Sequence, residues 1–221
     1  MRIKAVVMSV CLLLASIVLA ADQESQPTPE TSKSLAFATY KETNGRVEVV
    51  VGSMIAGLAA TEKYMPLQIA VGTSGKGPEL EVTPARFLLI DSKGNIYNTV
   101  SVGDVSNEPG VQQYAKTYSE QNPLQTALQF SMKIQRVLSN FYPREGGDFY
   151  VASYLSRDSY LEDLLFFPNL GDAMEGVLTL QFLTPGMDQA VALRFEIPLK
   201  QKKKDKQKKN LDKQKSKADS Q

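Results

Sequence analysis

MPLQIAVGTSGKGPELEVTPARFLLIDSKGNIYNTVSV, residues 65–102, is the stretch whose reading decides the fold class. Leu67, Ile69 and Val71 alternate with Gln68, Ala70 and Gly72. A period of two puts the three large apolar side chains on one face of a strand. The run Gly72-Thr-Ser-Gly75-Lys-Gly77-Pro78 ends it, because three glycines and a proline in seven residues favour turns over a ladder. Leu80 and Val82 alternate with Glu79 and Glu81, a strand with one wet face, and Pro84, which has no N–H to donate, closes it. Phe87-Leu-Leu-Ile90 reads as a buried strand. Asp91-Ser-Lys-Gly94-Asn95 reads as a hairpin loop with Gly94 free to take positive φ, and Ile96, Tyr97 and residues 99–102 as the return strand.

Toward the C-terminus, residues 177–182 and 191–197 form a second strand pair around the turn 184–188. Leu193, Phe195 and Ile197 share one face there, and Arg194 and Glu196 the other. Toward the N-terminus, residues 47–51 read as a strand, with Met54-Ile55 as a candidate extension and Asn44-Gly45 as a hairpin signal before it. Leu35, Phe37 and Tyr40 start the sheet, and residues 57–64 connect to the central stretch. Between the two strand groups the period changes. Val111, Tyr114, Ala115 and Tyr118 have the i, i+3, i+4, i+7 spacing of an amphipathic helix. Asn122 caps a second helix with Pro123 at its first position. Its stripe runs through Leu124, Ala127, Leu128, Ser131, Ile134, Leu138 and Phe141, ending near residues 140–143. Residues 148–155 fit a strand or a buried loop. Residues 160–167 fit a strand by their aromatics or a helix by the spacing of Leu161, Leu164 and Leu165.

The order Leu67–Gly72, then FLLIDSKGNIY at 87–97, then the pair EGVLTLQF at 175–182 and 191–198, resembles the immunoglobulin-like β-sandwich domains of secreted bacterial proteins. The expected fold is therefore mainly β: an immunoglobulin-like antiparallel β-sandwich over residues 35–199, with a helical insertion at about residues 109–141. The Cys…Trp…Cys core of antibody domains is absent. The resemblance implies a binding or structural module and brings no catalytic residue with it.

Residues 1–20 have the three parts of a secretory signal peptide: Arg2 and Lys4, an uncharged apolar run from 5 to 19, and Val18-Leu-Ala20 at the cleavage end. The run is shorter than the ~20 residues a spanning helix needs; an uncleaved anchor is the alternative. The only cysteine, Cys11, lies in this leader, and the chain has no histidine or tryptophan. An exported chain of this kind has no Ser–His–Asp triad, no histidine base, no His-ligated zinc and no thiolate chemistry. An enzyme would be left with carboxylate, lysine, serine or tyrosine chemistry. No phosphate loop, dinucleotide glycine pattern or G-x-S-x-G turn is present, so no cofactor is expected.

The net charge of +1 hides a division. Residues 22–199 carry 13 Lys and Arg against 21 Asp and Glu, and residues 200–221 carry 10 Lys against 3 Asp. Residues 21–34, with Pro27 and Pro29, read as a disordered linker. Residues 200–221, with Leu211 as the one large apolar residue, read as a disordered Lys-rich tail. Lys202, Lys203, Lys204, Lys206, Lys208 and Lys209 would attract an anionic membrane or cell-wall surface, at about 1 kcal/mol each beside anionic lipid. No aromatic side chain interleaves them, so nucleic acid is not the expected partner.

The aromatic-rich segment 114–167 is the candidate binding face, centred on the loop 140–148. The residues singled out are Phe141, Tyr142, Arg144, Phe149, Tyr150 and Tyr154; the opposing reading is that the aromatics pack helices onto the sheet. Asp91, Asn95 and Asp104 offer oxygen ligands without calcium-loop spacing, and a plain hairpin is the simpler account. Asp158, Glu162 and Asp163 offer paired carboxylates if they face a cleft, and solvated surface otherwise. The expected function is an exported, non-enzymatic module binding a protein or cell-envelope component. The alternatives are a carboxylate-based glycan hydrolase and a structural subunit of an envelope assembly.

Overall fold

The computed structural model describes residues 30–124, 135–143 and 149–199. Of the two units into which the chain divides, the first, Met1–Glu30, lies almost wholly outside these residues; the second is Thr31–Gln221. The described part is mainly β, in sheets whose pairs are antiparallel apart from one, with three α-helices.

A six-stranded sheet has the order β1 (Lys33–Ala36), β2 (Thr39–Thr43), β3 (Val47–Gly52), β4 (Tyr64–Thr73), β10 (Ser159–Pro168) and β8 (Gln135–Arg136). A four-stranded sheet has the order β12 (Val191–Glu196), β11 (Val177–Phe182), β6 (Phe87–Ile90) and β7 (Ile96–Asn98). A small third sheet pairs β5 (Leu80–Val82) with β9 (Ser153–Leu155). The stretch 65–102 is thus where the chain leaves the larger sheet, after β4, and enters the smaller one, at β6.

Alternation explains the core. Val49 and Val51 of β3 stand level with Val71 and Ile69 of β4, which stand level with Leu161 and Asp163 of β10. In the smaller sheet Leu178, Leu180 and Phe182 stand beside Phe195, Leu193 and Val191. These apolar side chains from both sheets belong to one buried cluster. Phe87 and Phe182 are register partners and stack with centroids 4.6 Å apart. Each such buried ring contributes roughly 1.5–3 kcal/mol relative to exposure. The N-terminal segment ties the sheets: Ser32 N–H donates to Arg194 O at 2.9 Å and Ser53 Oγ to Glu196 O at 2.6 Å.

Residues 160–167, open between strand and helix in sequence, belong to β10. Its nine pairs with β4 run from Tyr160–Gly72 to Pro168–Tyr64. Residues 161–167 are buried apart from Glu162, which is why no clean alternation was visible. The helix at 111–118 is present as α3 (Pro109–Gln121). Asn122 does not open a second helix; it ends α3, its side-chain Nδ2 donating to Tyr118 O at 3.0 Å. The expected second helix lies partly outside the described residues, at 125–134. Its end is not helical: Gln135 and Arg136 are β8, parallel to the start of β10. Val137 N–H donates to Tyr160 O at 2.7 Å and Ser139 Oγ to Glu162 O at 3.1 Å. A helix would have used the Val137 N–H internally; here it and the Ser139 hydroxyl cover the open edge of β10.

Three smaller expectations also fail. Met54-Ile55 does not extend β3 but opens a short helix, α1 (Met54–Leu58). The return strand β7 stops at Asn98, and residues 102–106 form α2 (Val102–Ser106), capped by Ser101, which accepts from Asp104 N–H at 3.1 Å. Phe37, expected in the opening strand, is 74 % exposed in the turn between β1 and β2, where Ala38 has φ 55°.

Candidate functional site

The residues expected to form the binding face separate into two groups. Phe141 and Tyr142 are fully buried. The Tyr142 ring meets Phe166 edge-on at 4.9 Å, and its hydroxyl donates to Val100 O at 2.9 Å. Burial pushes its phenol well above the usual range. Gln112 of α3 donates to Tyr142 O at 3.1 Å. Both aromatics therefore anchor the segment 135–143 to β10 and α3, and the expectation that they contact a ligand at the surface is corrected: two large rings gain more from burial than from solvent. Arg144 and the tail lysines fall outside the described residues.

Phe149, Tyr150 and Tyr154 are exposed. They are joined by Val151, 68 % exposed, and Leu138, 72 % exposed. Backbone and hydroxyl bonds hold these two segments side by side: Tyr150 N–H donates to Asn140 O at 3.3 Å, and Ser153 Oγ to Leu138 O at 3.2 Å. Half of the exposed large apolar side chains among the described residues thus lie on this one strip. Leu138 belonged to the expected helix stripe; its solvent position follows from the strand-like course of 135–139.

Beside the same segment is a polar cleft of about 600 Å³, bordered by Arg136 and Asn140 from that segment, Lys116 and Glu120 from α3, and Glu162 and Asp163 from β10. Two of the three carboxylates singled out in the sequence therefore do border a cleft. Asp158 does not: it sits at the β9–β10 turn with φ 52° and pairs with Arg157 at 3.0 Å.

The two cleft carboxylates differ in what they already hold. Along β10 the backbone groups of Tyr160, Glu162 and Phe166 point to the outer edge, where Val137, Ser139 and Val100 meet their carbonyls. The Leu164 N–H on that edge has no strand beside it. The Asp163 carboxylate takes its place, accepting from Leu164 N–H at 2.7 Å and from Phe141 N–H at 2.9 Å. Lys116 Nζ lies 3.6 Å from the same carboxylate and donates to Asn140 Oδ1 at 2.8 Å. Asp163 is thus saturated by structural partners.

Glu162 is held by one oxygen only. Its Oε1 accepts from Gln68 Nε2 at 3.0 Å and from Leu124 N–H at 2.5 Å. Its Oε2 is shielded from solvent and has no hydrogen-bond partner among the described residues. A buried acceptor left unmet costs about 1–3 kcal/mol. Gln68, which fixes this carboxylate and also donates to Asn122 O at 2.8 Å, was not singled out from the sequence. The available signal was a glutamine in a strand whose ten residues are all buried; a buried amide needs a specific partner.

The calcium alternative loses its ligands to local bonds. Asp91 accepts from the backbone N–H of Lys93 and Asn95, from Asn95 Nδ2 at 2.7 Å and from Tyr97 hydroxyl at 3.0 Å. The Asn95 donors above all pull its carboxyl down to about 2. Asp104 is engaged with the Ser101 cap at 2.6 Å. Among the described residues no group of three potential ligands is placed to hold a metal ion.

No helix among the described residues is long and apolar enough to cross a membrane. No protein-family model, curated protein or solved structure matches this chain.

Proposed function

We propose that this chain is an exported, non-catalytic binding module of the cell envelope, recognising its partner through the surface built around segment 135–140. The observation that carries the reading is the set of exposed apolar side chains Leu138, Phe149, Tyr150, Val151 and Tyr154 along segments bonded to one another, one of which also borders the polar cleft. Apolar contact area with a polar neighbour is the usual anatomy of a recognition surface. The saturation of Asp163 favours binding over hydrolysis, since it withholds from Glu162 its nearest carboxylate in sequence. Export rests on the leader-like residues 1–20, and the lysines at 200–221 would hold the module near an anionic surface.

The two antiparallel sheets and their shared apolar cluster support a sandwich arrangement. Its connectivity begins with a four-strand meander, β1 to β4, within one sheet, whereas the immunoglobulin plan crosses to the second sheet at its third strand. Support for that family plan is therefore confined to the two-layer arrangement.

The test compares the wild-type protein with the triple variant Phe149→Ser, Tyr150→Ser, Tyr154→Ser for retention on an isolated envelope preparation. Retention is expected to fall at least tenfold with an unchanged melting temperature. Equal retention refutes the surface assignment. A fall in molar mass by light scattering in the variant would show instead that the strip joins copies of this chain. Deleting residues 200–221 should lower retention on anionic vesicles at low salt, and equal retention removes the tethering role.

A further inference from the structure

We infer that the Lys-rich tail, residues 200–221, docks on its own domain, with Leu211 seated in the groove between the end of α1 and the start of α3 and the neighbouring lysines on the carboxylates of its walls. The inference goes beyond the tethering role proposed above and does not depend on it.

The groove has a volume of about 550 Å³ and is bordered by Leu58, Ala59, Glu62, Glu108, Val111 and Tyr114. Leu58 is 40 % and Tyr114 44 % exposed, so its apolar walls lie open to solvent. A hollow of that size takes a few residues of chain and excludes a folded domain. Two of the bordering residues are carboxylates. Glu108 pairs with Lys63 at 3.1 Å, both side chains more than a third exposed. The exposed Glu62 carboxylate has no side-chain partner among the described residues. An occupant that suits these walls brings an apolar side chain flanked by positive charge.

The tail supplies both, and the fold delivers it there. Pro198 O lies 2.5 Å from where a Cβ on Gly57 would stand, so the last described residues run against α1, beside the residue that precedes Leu58. Leu199 packs on the core, and the chain leaves the described residues at this point. Leu211 is twelve residues farther on, and twelve residues of chain reach up to about 40 Å. It is the one large apolar residue of 200–221, with Lys208 and Lys209 before it, Lys213 after it, and Asp212 as the one acid beside it. Lysine stems cover apolar surface while their ammonium groups meet carboxylates. The acid excess of residues 22–199, 21 Asp and Glu against 13 Lys and Arg, attracts the tail to the domain as a whole. The apolar groove beside its root selects the place. A segment joined this close to its site meets it at an effective concentration on the order of millimolar. An anionic surface then competes with the groove for the same lysines.

The test records backbone amide shifts of the isotopically labelled full-length protein at low salt, with and without Leu211→Ser. The amides of 58–62 and 108–114 are expected to move at least fivefold farther than those of β11. The same substitution in a Glu62→Lys background, or in about 0.5 M salt, should move them at most a third as far. Groove amides that ignore Leu211→Ser overturn the inference, and so does a response as large in Glu62→Lys and at high salt as in the wild type at low salt. A response that fades on tenfold dilution also overturns it, and places the tail on a second copy of the chain. If the groove is silent while deletion of 200–221 still lowers retention on anionic vesicles, the tail has no seat on the domain and its tethering role stands.

Discussion

Replacing Asp163 by asparagine asks whether this carboxylate is the cap of an open sheet edge. The side chain is 2 % exposed and accepts two backbone N–H groups while lying 3.6 Å from Lys116. Asparagine keeps the shape and one acceptor, but turns an N–H₂ toward one of the two donors. Hydrogen bonds to a charged acceptor contribute about 1.5–3 kcal/mol, and a buried donor left unmet costs about 1–3 kcal/mol. Breaking a buried ion pair by removing one partner costs about 3–5 kcal/mol, but Lys116 keeps Asn140 and is 14 % exposed, which reduces that share. These contributions overlap, and the expected loss is about 3 kcal/mol. With a urea m-value of about 2 kcal/mol/M, the midpoint should fall by about 1.5 M with m unchanged. Urea unfolding followed by circular dichroism measures it, and a cycle with Lys116→Met should show a coupling of about 1–2 kcal/mol. A midpoint shift below about 0.3 M, or strict additivity in the cycle, refutes the edge-cap account.

Asp91→Asn tests the hairpin carboxylate through pH. Its folded pKa, about 2, lies below the ordinary aspartate value of 3.8. The stabilisation is therefore fully present above the unfolded pKa and is lost as pH falls from about 4 through about 2. The wild type should lose stability across that window and the variant should show a flatter acid limb; parallel limbs would remove the role assigned to Asp91. Gly57→Ala should lower the melting temperature although alanine is the better helix former by about 1 kcal/mol. A Cβ there would stand 2.5 Å from Pro198 O, and overpacking costs about 1–3 kcal/mol. A variant as stable as wild type, or more so, would show that the backbone after β12 yields freely.

Sequence patterning located β5, β11 and β12, where one face is core and the other is not. Their burial alternates, and turn chemistry separates strands along the chain: Gly45, Gly75, Gly94 and Gly186 all take positive φ between strands. The same method failed where burial is two-sided or long-range. β10 is covered on both faces for most of its length, so its period vanished. The helix-like stripe ending at Leu138 and Phe141 misled because its backbone donors serve an edge some twenty residues away in sequence.

Read alone, the chain determined which residue types it lacks and where several of its extended segments lie, because residue type and neighbouring turns are local properties. Its mainly antiparallel character followed from the same short-range signals. Only the tertiary structure decided that Phe141 and Tyr142 face inward while Phe149, Tyr150 and Tyr154 face outward, since hydrophobicity is shared by both groups and burial is not encoded by one side chain. It alone set Arg136 and Glu162 on one cleft and filled Asp163 with partners. Those outcomes depend on contacts between segments far apart along the backbone, each fixed by the requirement that buried polar groups find donors or acceptors.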